Sequence, residues 1–340
     1  MADCRTLIVS HDDVERLLPM PACIDLMAET LAATARGGAR LPLRQLIALA
    51  GGRDLFGVMP AVLTGRDGSN AIGAKIITVF PGNAETPYDS HIGVVLYFDD
   101  IHGRLLAIID ASAVTAIRTA AVSGLATRLL AVAQASDLAI LGSGVQAMTH
   151  LEAMLAVRPI TRVRIWSRGA ARCIAFARWA EPRFGVTVEV CDSAESAVRG
   201  AQVVCTVTAS REPVLRGAWL SPGAHVNAAG AAIPTARELD TKAVVQSRLY
   251  VDRIESALHE AGDFLIPRGE GAIDESHIVG ELGALVAGTV RGREHDDDRT
   301  LFKSLGLAVE DVAAARFIHQ RALDDGSGTW VSIGGLRPVL

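Results

Sequence analysis

The feature that most restricts the fold is a short passage, LAILGSGVQA, at residues 138–147. Four apolar residues lead directly into a glycine-rich turn, and the helix-forming run QAMTHLEAM follows. Gly142, Gly144 and Ala147 stand at the G-x-G-x-x-G/A positions. The first glycine permits a tight turn, the second lets a pyrophosphate approach the backbone, and the alanine allows close helix–strand contact. Val145 and Gln146 open the helix, whose unpaired N–H groups and dipole favour an anion. A glycine-rich match alone is weak, but this one heads a series. The segments DLAILGSG, VRIWSR, VTVEV, QVVCTVT, HVNAAG and RLYVD read as apolar strands separated by helical or turn segments. That alternation belongs to a parallel sheet with crossover helices. The expected class is α/β, with a Rossmann NAD(P)-binding domain.

The flanks follow a different pattern. Residues 20–36 predict a helix: Ile24, Met27 and Leu31 share a face, and Gly37 and Gly38 end it. Residues 41–109 break into short apolar runs (LFGVMPAVL, AIGAKIITVF, IGVVLYFDD, LLAIID) punctuated by Gly, Pro, Asn and Asp, the pattern of antiparallel strands joined by turns. Residues 112–131 form an Ala-rich helix linking two domains. From about Leu301, TLFKSLGLAVEDVAAARFIHQRA reads as another long helix. The expected arrangement is a split α+β domain, residues 1–118 plus 306–340, with the Rossmann domain, residues 119–305, inserted in it. The strands of residues 41–109 are too apolar for a free two-sided sheet, which predicts a homodimer that buries it.

Composition removes several classes. Half of the 340 residues are apolar and the formal net charge is −5, so no basic field favours nucleic acid or anionic lipid. The apolar runs fall short of a membrane span, and the opening MADCRTLIVSHDD carries charges too early for a signal peptide. The five cysteines (Cys4, Cys23, Cys173, Cys191, Cys205) form no CxxC pair, and the nine histidines show no HxxxH or HExxH spacing. Neither a disulfide framework nor a metal is expected, and a reduced, cytoplasmic protein is. The run of residues 294–298, EHDDD, reads as a solvated loop.

The second Rossmann strand, VRIW, ends in Ser167 and Arg168. An NAD-selective fold usually has an acid here, bonded to the ribose 2′-hydroxyl. A hydroxyl and a guanidinium suit a 2′-phosphate instead, so NADPH is expected over NADH. A solvated surface arginine is the plain alternative.

Six segments carry a family resemblance: GVMPA (57–61), GAKIITVFPGN (73–83), AIIDASAVTAIRTAAVSGLAT (107–127), the LGSGVQA turn, GDFLIP (262–267) and FKSLGLAVED (302–311). Through them the chain resembles the ornithine cyclodeaminase/mu-crystallin family over essentially its whole length. The resemblance implies the split fold, with a substrate-binding domain that usually also forms homodimers. It leaves the reaction open among cyclodeamination, alanine dehydrogenation, and reduction of ketimines or of Δ1-pyrroline-2-carboxylate and Δ1-piperideine-2-carboxylate.

The resemblance also implies a substrate site. Arg44 in LPLR, Lys75 in GAKI and Arg118 in AIRTAA match the family's positions around a substrate carboxylate. Guanidinium forks and an ammonium suit that planar anion. Lys75 lies in an apolar strand, where an unpaired ammonium is costly. A buried lysine facing an anionic ligand is the expectation, and an internal salt bridge is the alternative. Lys75 or a water is the candidate proton source for an imine nitrogen, and Met59 the candidate apolar contact for the substrate ring. His91, Glu255 and Asp311 are polar candidates without an assigned role. Cyclodeaminases similar to this chain carry an aspartate where Ala232 stands in HVNAAGAAIPTARELD. A methyl group can neither accept a proton nor balance an ammonium. NADPH-dependent reduction of a cyclic imino acid is therefore expected, ahead of cyclodeamination, alanine dehydrogenase-like reductive amination, or NADPH binding without catalysis.

Overall fold

Two sheets, each in its own unit, carry the fold. The computed structural model describes residues 5–52, 54–65 and 68–333. Contacts divide the chain into one unit from Met1–Arg118 with Leu307–Leu340 and a second from Thr119–Gly306.

In the first unit the strands are β1 (Arg5–Val9), β2 (Ala39–Arg40), β3 (Gln45–Ala48), β4 (Leu55–Thr64), β5 (Asn70–Val79), β6 (His91–Phe98) and β7 (Leu105–Asp110). A last strand, β16 (Thr329–Ser332), returns to the edge, giving the order β16-β1-β7-β6-β5-β4-β2 with β3 paired to β4. The central pairings from β4 to β7 are antiparallel. The helices are α1 (His11–Leu17), α2 (Met20–Ala35) and α11 (Ala308–Asp325); α11 lies across β4–β7 and touches both other helices.

Period-two alternation gives this sheet two unlike faces. Met59 pairs with Lys75, Lys75 with Val95, Val95 with Ile109 and Ile109 with Val9. All five are buried. On the opposite face Pro60, Ala74, Leu96, Ile108 and Ile8 pair in one row, and all of these stay partly exposed. Gly73 decides how near α11 comes, because a Cβ there would lie 2.5 Å from the Leu96 carbonyl oxygen and 3.0 Å from Val312 Cγ2.

Helix α3 (Ala111–Leu130) begins in the first unit and continues into the second. There the strands are β8 (Asp137–Leu141), β9 (Arg162–Trp166), β10 (Thr187–Val190), β11 (Val203–Thr206), β12 (His225–Ala228), β13 (Arg248–Val251), β14 (Ile278–Glu281) and β15 (Thr300–Lys303). Their order is β10-β9-β8-β11-β12-β15-β13-β14, and every pair is parallel. The helices are α4 (Val145–Val157), α5 (Ala170–Phe184), α6 (Ala194–Val198), α7 (Thr241–Val245), α8 (Ile254–Glu260), α9 (Gly262–Gly269) and α10 (Leu282–Val286). This is the α/β class expected from the alternating pattern.

One expected element is corrected. The segment after residue 300 is not a single helix: Thr300–Lys303 is β15, between β12 and β13, and the helix starts only at Ala308. A four-residue apolar run carries no period that separates a buried strand from a helix. Gly306, at φ +80°, marks the break. Cys23, Cys173, Cys191 and Cys205 are buried free thiols, while Cys4 lies outside the described residues. No single helix among the described residues is long and apolar enough to cross a membrane.

Candidate active site

In the first unit, alternation along β5 aims Lys75 toward α11, between the buried rows of Gly73 and Ile77. An ammonium so enclosed needs an anion, and the first turn of α11 supplies one. Lys75 Nζ lies 3.0 Å from Asp311 Oδ1 and 2.8 Å from Oδ2, and donates to Thr115 Oγ1 on α3 at 3.4 Å. Arg118, also on α3, donates from Nε to the same Asp311 Oδ1 at 3.0 Å and from Nη1 to Glu310 Oε2 at 2.9 Å. Asp311 and Glu310 are fully buried, Lys75 and Arg118 nearly so. The buried Lys75 ammonium is thus paired within the protein by Asp311. Burial pushes the Lys75 ammonium down to about 8; the Arg118 charge adds to this, and Asp311 and Glu310 oppose it.

Other residues singled out in the sequence gather on the same sheet. Met59 is the cross-strand partner of Lys75. Arg44 is half-exposed just before β3, whose first residue, Gln45, pairs with Val58. His91 begins β6, with Ser90 Oγ 2.9 Å from its Nδ1. Its outer side meets solvent, yet the protein around it lowers its pKa; Asp89 opposes this, and the Lys75 and Arg118 charges lower it further.

The second unit holds the glycine turn. Gly142 has φ +127°, and a Cβ there would lie 2.6 Å from the Val207 carbonyl oxygen, so only glycine lets the end of β8 lie this close to the loop after β11. Gly144 caps α4 without a side-chain hydrogen bond, and a Cβ on it would meet nothing within 4 Å. The backbone N–H groups of Val145 and Gln146 therefore open a helix start that no side chain caps. Gln146 Oε1 is buried with no hydrogen-bond partner among the described residues. An open helix start, a glycine cradle and an unsatisfied amide oxygen fit a dinucleotide's pyrophosphate and ribose. At the end of β9, Ser143 Oγ donates to Ser167 Oγ at 2.9 Å, and Ser167 also touches Cys173 Sγ at 3.1 Å. Arg168 is exposed.

Two arrangements escaped sequence reading. Glu238 is fully buried and accepts from Thr206 Oγ1, Thr208 N, Thr208 Oγ1 and Gly230 N at 2.6–2.9 Å. It ties together the loops that follow β11 and β12. Lys303 Nζ lies 3.0 Å from Asp263 Oδ2 and donates to the Ala228 and Ala231 carbonyls, fixing the loop that carries Ala232. Glu310 was also missed. For Glu310 the available signal was charge in apolar surroundings, as in GLAVEDVAAA. Glu255 is half-exposed and paired with Arg253, and Ala232 packs at the edge of the core of the second unit. Among the described residues, no group of three His, Cys, Asp or Glu is placed to hold a metal ion.

Residues 4–326 match the ornithine cyclodeaminase/mu-crystallin family. The chain belongs to this family. It is 41% identical to mouse ketimine reductase mu-crystallin over 283 residues, 83% of this chain and 85% of that protein. The structure of Thermococcus litoralis Δ1-pyrroline-2-carboxylate reductase in complex with NADH and L-proline superposes with a TM-score of 0.92 at 36% identity, covering 95% of this chain and 99% of that one. An archaeal alanine dehydrogenase dimer with bound NAD gives 0.90 at 30% identity, covering 97% and 100%.

Proposed function

We propose that this protein reduces a small cyclic imino acid, Δ1-pyrroline-2-carboxylate or Δ1-piperideine-2-carboxylate, to proline or pipecolate with a nicotinamide cofactor. The observation that carries this reading is the pair of buried cations, Lys75 and Arg118, beside Met59 in a family whose similar members include reductases of such imines. Arg44, Lys75 and Arg118 hold the substrate carboxylate, and Met59 packs against the ring. The imine nitrogen lies three bonds from a carboxylate oxygen, so one ammonium can serve both. Lys75, at about 8, is protonated at neutral pH yet acidic enough to pass its proton to that nitrogen. Reduced nicotinamide, when bound, supplies hydride to the imine carbon. Holding the carboxylate converts binding energy into orientation of that carbon.

Ala232 favours reduction over cyclodeamination. Deamination of ornithine must handle an α-ammonium that becomes an imine and a second amine that attacks it, and a methyl group can neither accept a proton nor balance these cations. A cyclic imine arrives with its electrophile formed. For the cofactor, Gly142, Gly144, Val145 and Gln146 receive the pyrophosphate, and Ser167 with Arg168 receives a 2′-phosphate. NADPH is accordingly the preferred donor. The half-exposed sheet face of Pro60, Ala74, Leu96, Ile108 and Ile8 is the surface for a second copy of this chain.

Three outcomes are expected. The protein oxidises NADPH with either cyclic imine alone and releases no ammonia from ornithine with NAD. Oxidation that requires added ammonia and an open-chain keto acid, or steady ammonia release from ornithine, would contradict the reading. Arg168→Ala raises the KM for NADPH about tenfold or more, through loss of a charged hydrogen bond worth roughly 1.5–3 kcal/mol, and leaves that for NADH nearly unchanged. Equal use of both cofactors by the unaltered protein would remove the phosphate role. Light scattering at micromolar concentration gives the mass of a dimer, and a monomer would rule out the sheet-face contact.

A further inference from the structure

The geometry points to Asp311 as the positioning residue of this site, one buried carboxylate that orients the Lys75 ammonium and the Arg118 guanidinium together for an incoming carboxylate. The inference rests on the function proposed above and adds a residue that neither contacts substrate nor exchanges a proton with it. Three observations carry it. Asp311 Oδ1 accepts from both cations, at 3.0 Å from Lys75 Nζ and 3.0 Å from Arg118 Nε. The cations come from different elements, β5 and α3, and this shared oxygen fixes their separation. Glu310 holds Arg118 from the other side and accepts from Leu307 N at 3.1 Å, which anchors the pair to the first turn of α11.

The charges around Lys75 give Asp311 a second consequence. From α11 it faces Asp311 and Glu310, from α3 Arg118 and Thr115, from β6 His91, and from β4 the apolar Met59; Cys23 on α2 faces Arg118 and Glu310. Burial and Arg118 both drive Lys75 toward its neutral form, and Asp311 is the main group opposing them. Neutralising Asp311 therefore lowers the pH at which Lys75 loses its proton. Above that pH the site loses one of its cations, and both substrate affinity and proton supply fall together.

The test compares Asp311→Asn with Glu310→Gln, two buried carboxylates of which only the first touches Lys75. Two quantities are followed between pH 6 and 9: kcat/KM for the cyclic imine, and affinity for pyrrole-2-carboxylate, a planar ring carboxylate that cannot be reduced. In the unaltered protein both decline on the alkaline side near pH 8. In Asp311→Asn the decline moves at least about one pH unit lower. In Glu310→Gln, whose charge acts on Lys75 more weakly than that of Asp311 and without a hydrogen bond to it, the midpoint moves down by clearly less. A midpoint common to all three proteins, or equal displacement in both variants, overturns the inference. If Asp311→Asn does not fold, Asp311→Glu decides, because it keeps the charge and moves the oxygen. It should retain the midpoint with at least fivefold weaker analogue binding, and undiminished binding overturns the inference. The analogue separates the two claims. A protein that binds it with the expected pH dependence but reduces neither imine refutes the proposed reaction and leaves the role of Asp311 standing.

Discussion

Two cations enclosed between a sheet and a helix can persist only with anions at contact distance, and this requirement organises the first unit. Removing a charge from water costs several kcal/mol even after relaxation. Lys75 and Arg118 are matched by Asp311 and Glu310, consecutive residues in the first turn of α11. Their placement requires α11 to lie directly on β5, which Gly73 permits because it presents no side chain to Val312. The helix, its N-terminal acids and the glycine opposite form one device. A buried ion cluster is seldom the most stabilising filling for such a space, since apolar residues of similar volume often do as well or better. Its retention here is accounted for by the proposed use, binding of a small anion that gives up its hydration on arrival.

The second unit solves a different problem with the same economy of elements. Its central strands β11, β12 and β15 are buried throughout, and the loops at their carboxyl ends hold their shape through specific hydrogen bonds. Glu238 and the Lys303–Asp263 pair do this for the loops after β11 and β12. At the neighbouring turn, Gly142 and the uncapped start of α4 leave backbone N–H groups available to an anion. In the proposed function the first unit receives an anion through side-chain cations and the second receives one through the peptide backbone.

Much of this architecture was legible in the residues. The LAILGSGVQA turn and the alternating strands identified the α/β class, and the helix expected at residues 20–36 is α2, Met20–Ala35. Local pattern sufficed there because a strand–turn–helix passage and a strong 3.6-residue period are local signals. The strand Thr300–Lys303 was not legible, since its identity comes from parallel partners about fifty and seventy-five residues away in sequence. Lys75 marked itself as a charge in an apolar strand, but its partner sits 236 positions later on another element. Sequence alone could say that the ammonium needed an anion. Only the packing of α11 on β5 showed that the protein provides one, with Arg118 on the same oxygen.

In the proposed function this cluster is the seat of a carboxylate. A crystal structure of the protein with proline or pipecolate and NADP+ bound tests it most directly. The ligand's carboxylate oxygens are expected within about 3 Å of Lys75 Nζ and of the Arg118 guanidinium, in the charge-assisted range, with Asp311 still bridging the two cations. A ligand carboxylate held elsewhere, with Lys75 and Arg118 engaged only by Asp311 and Glu310, would contradict it.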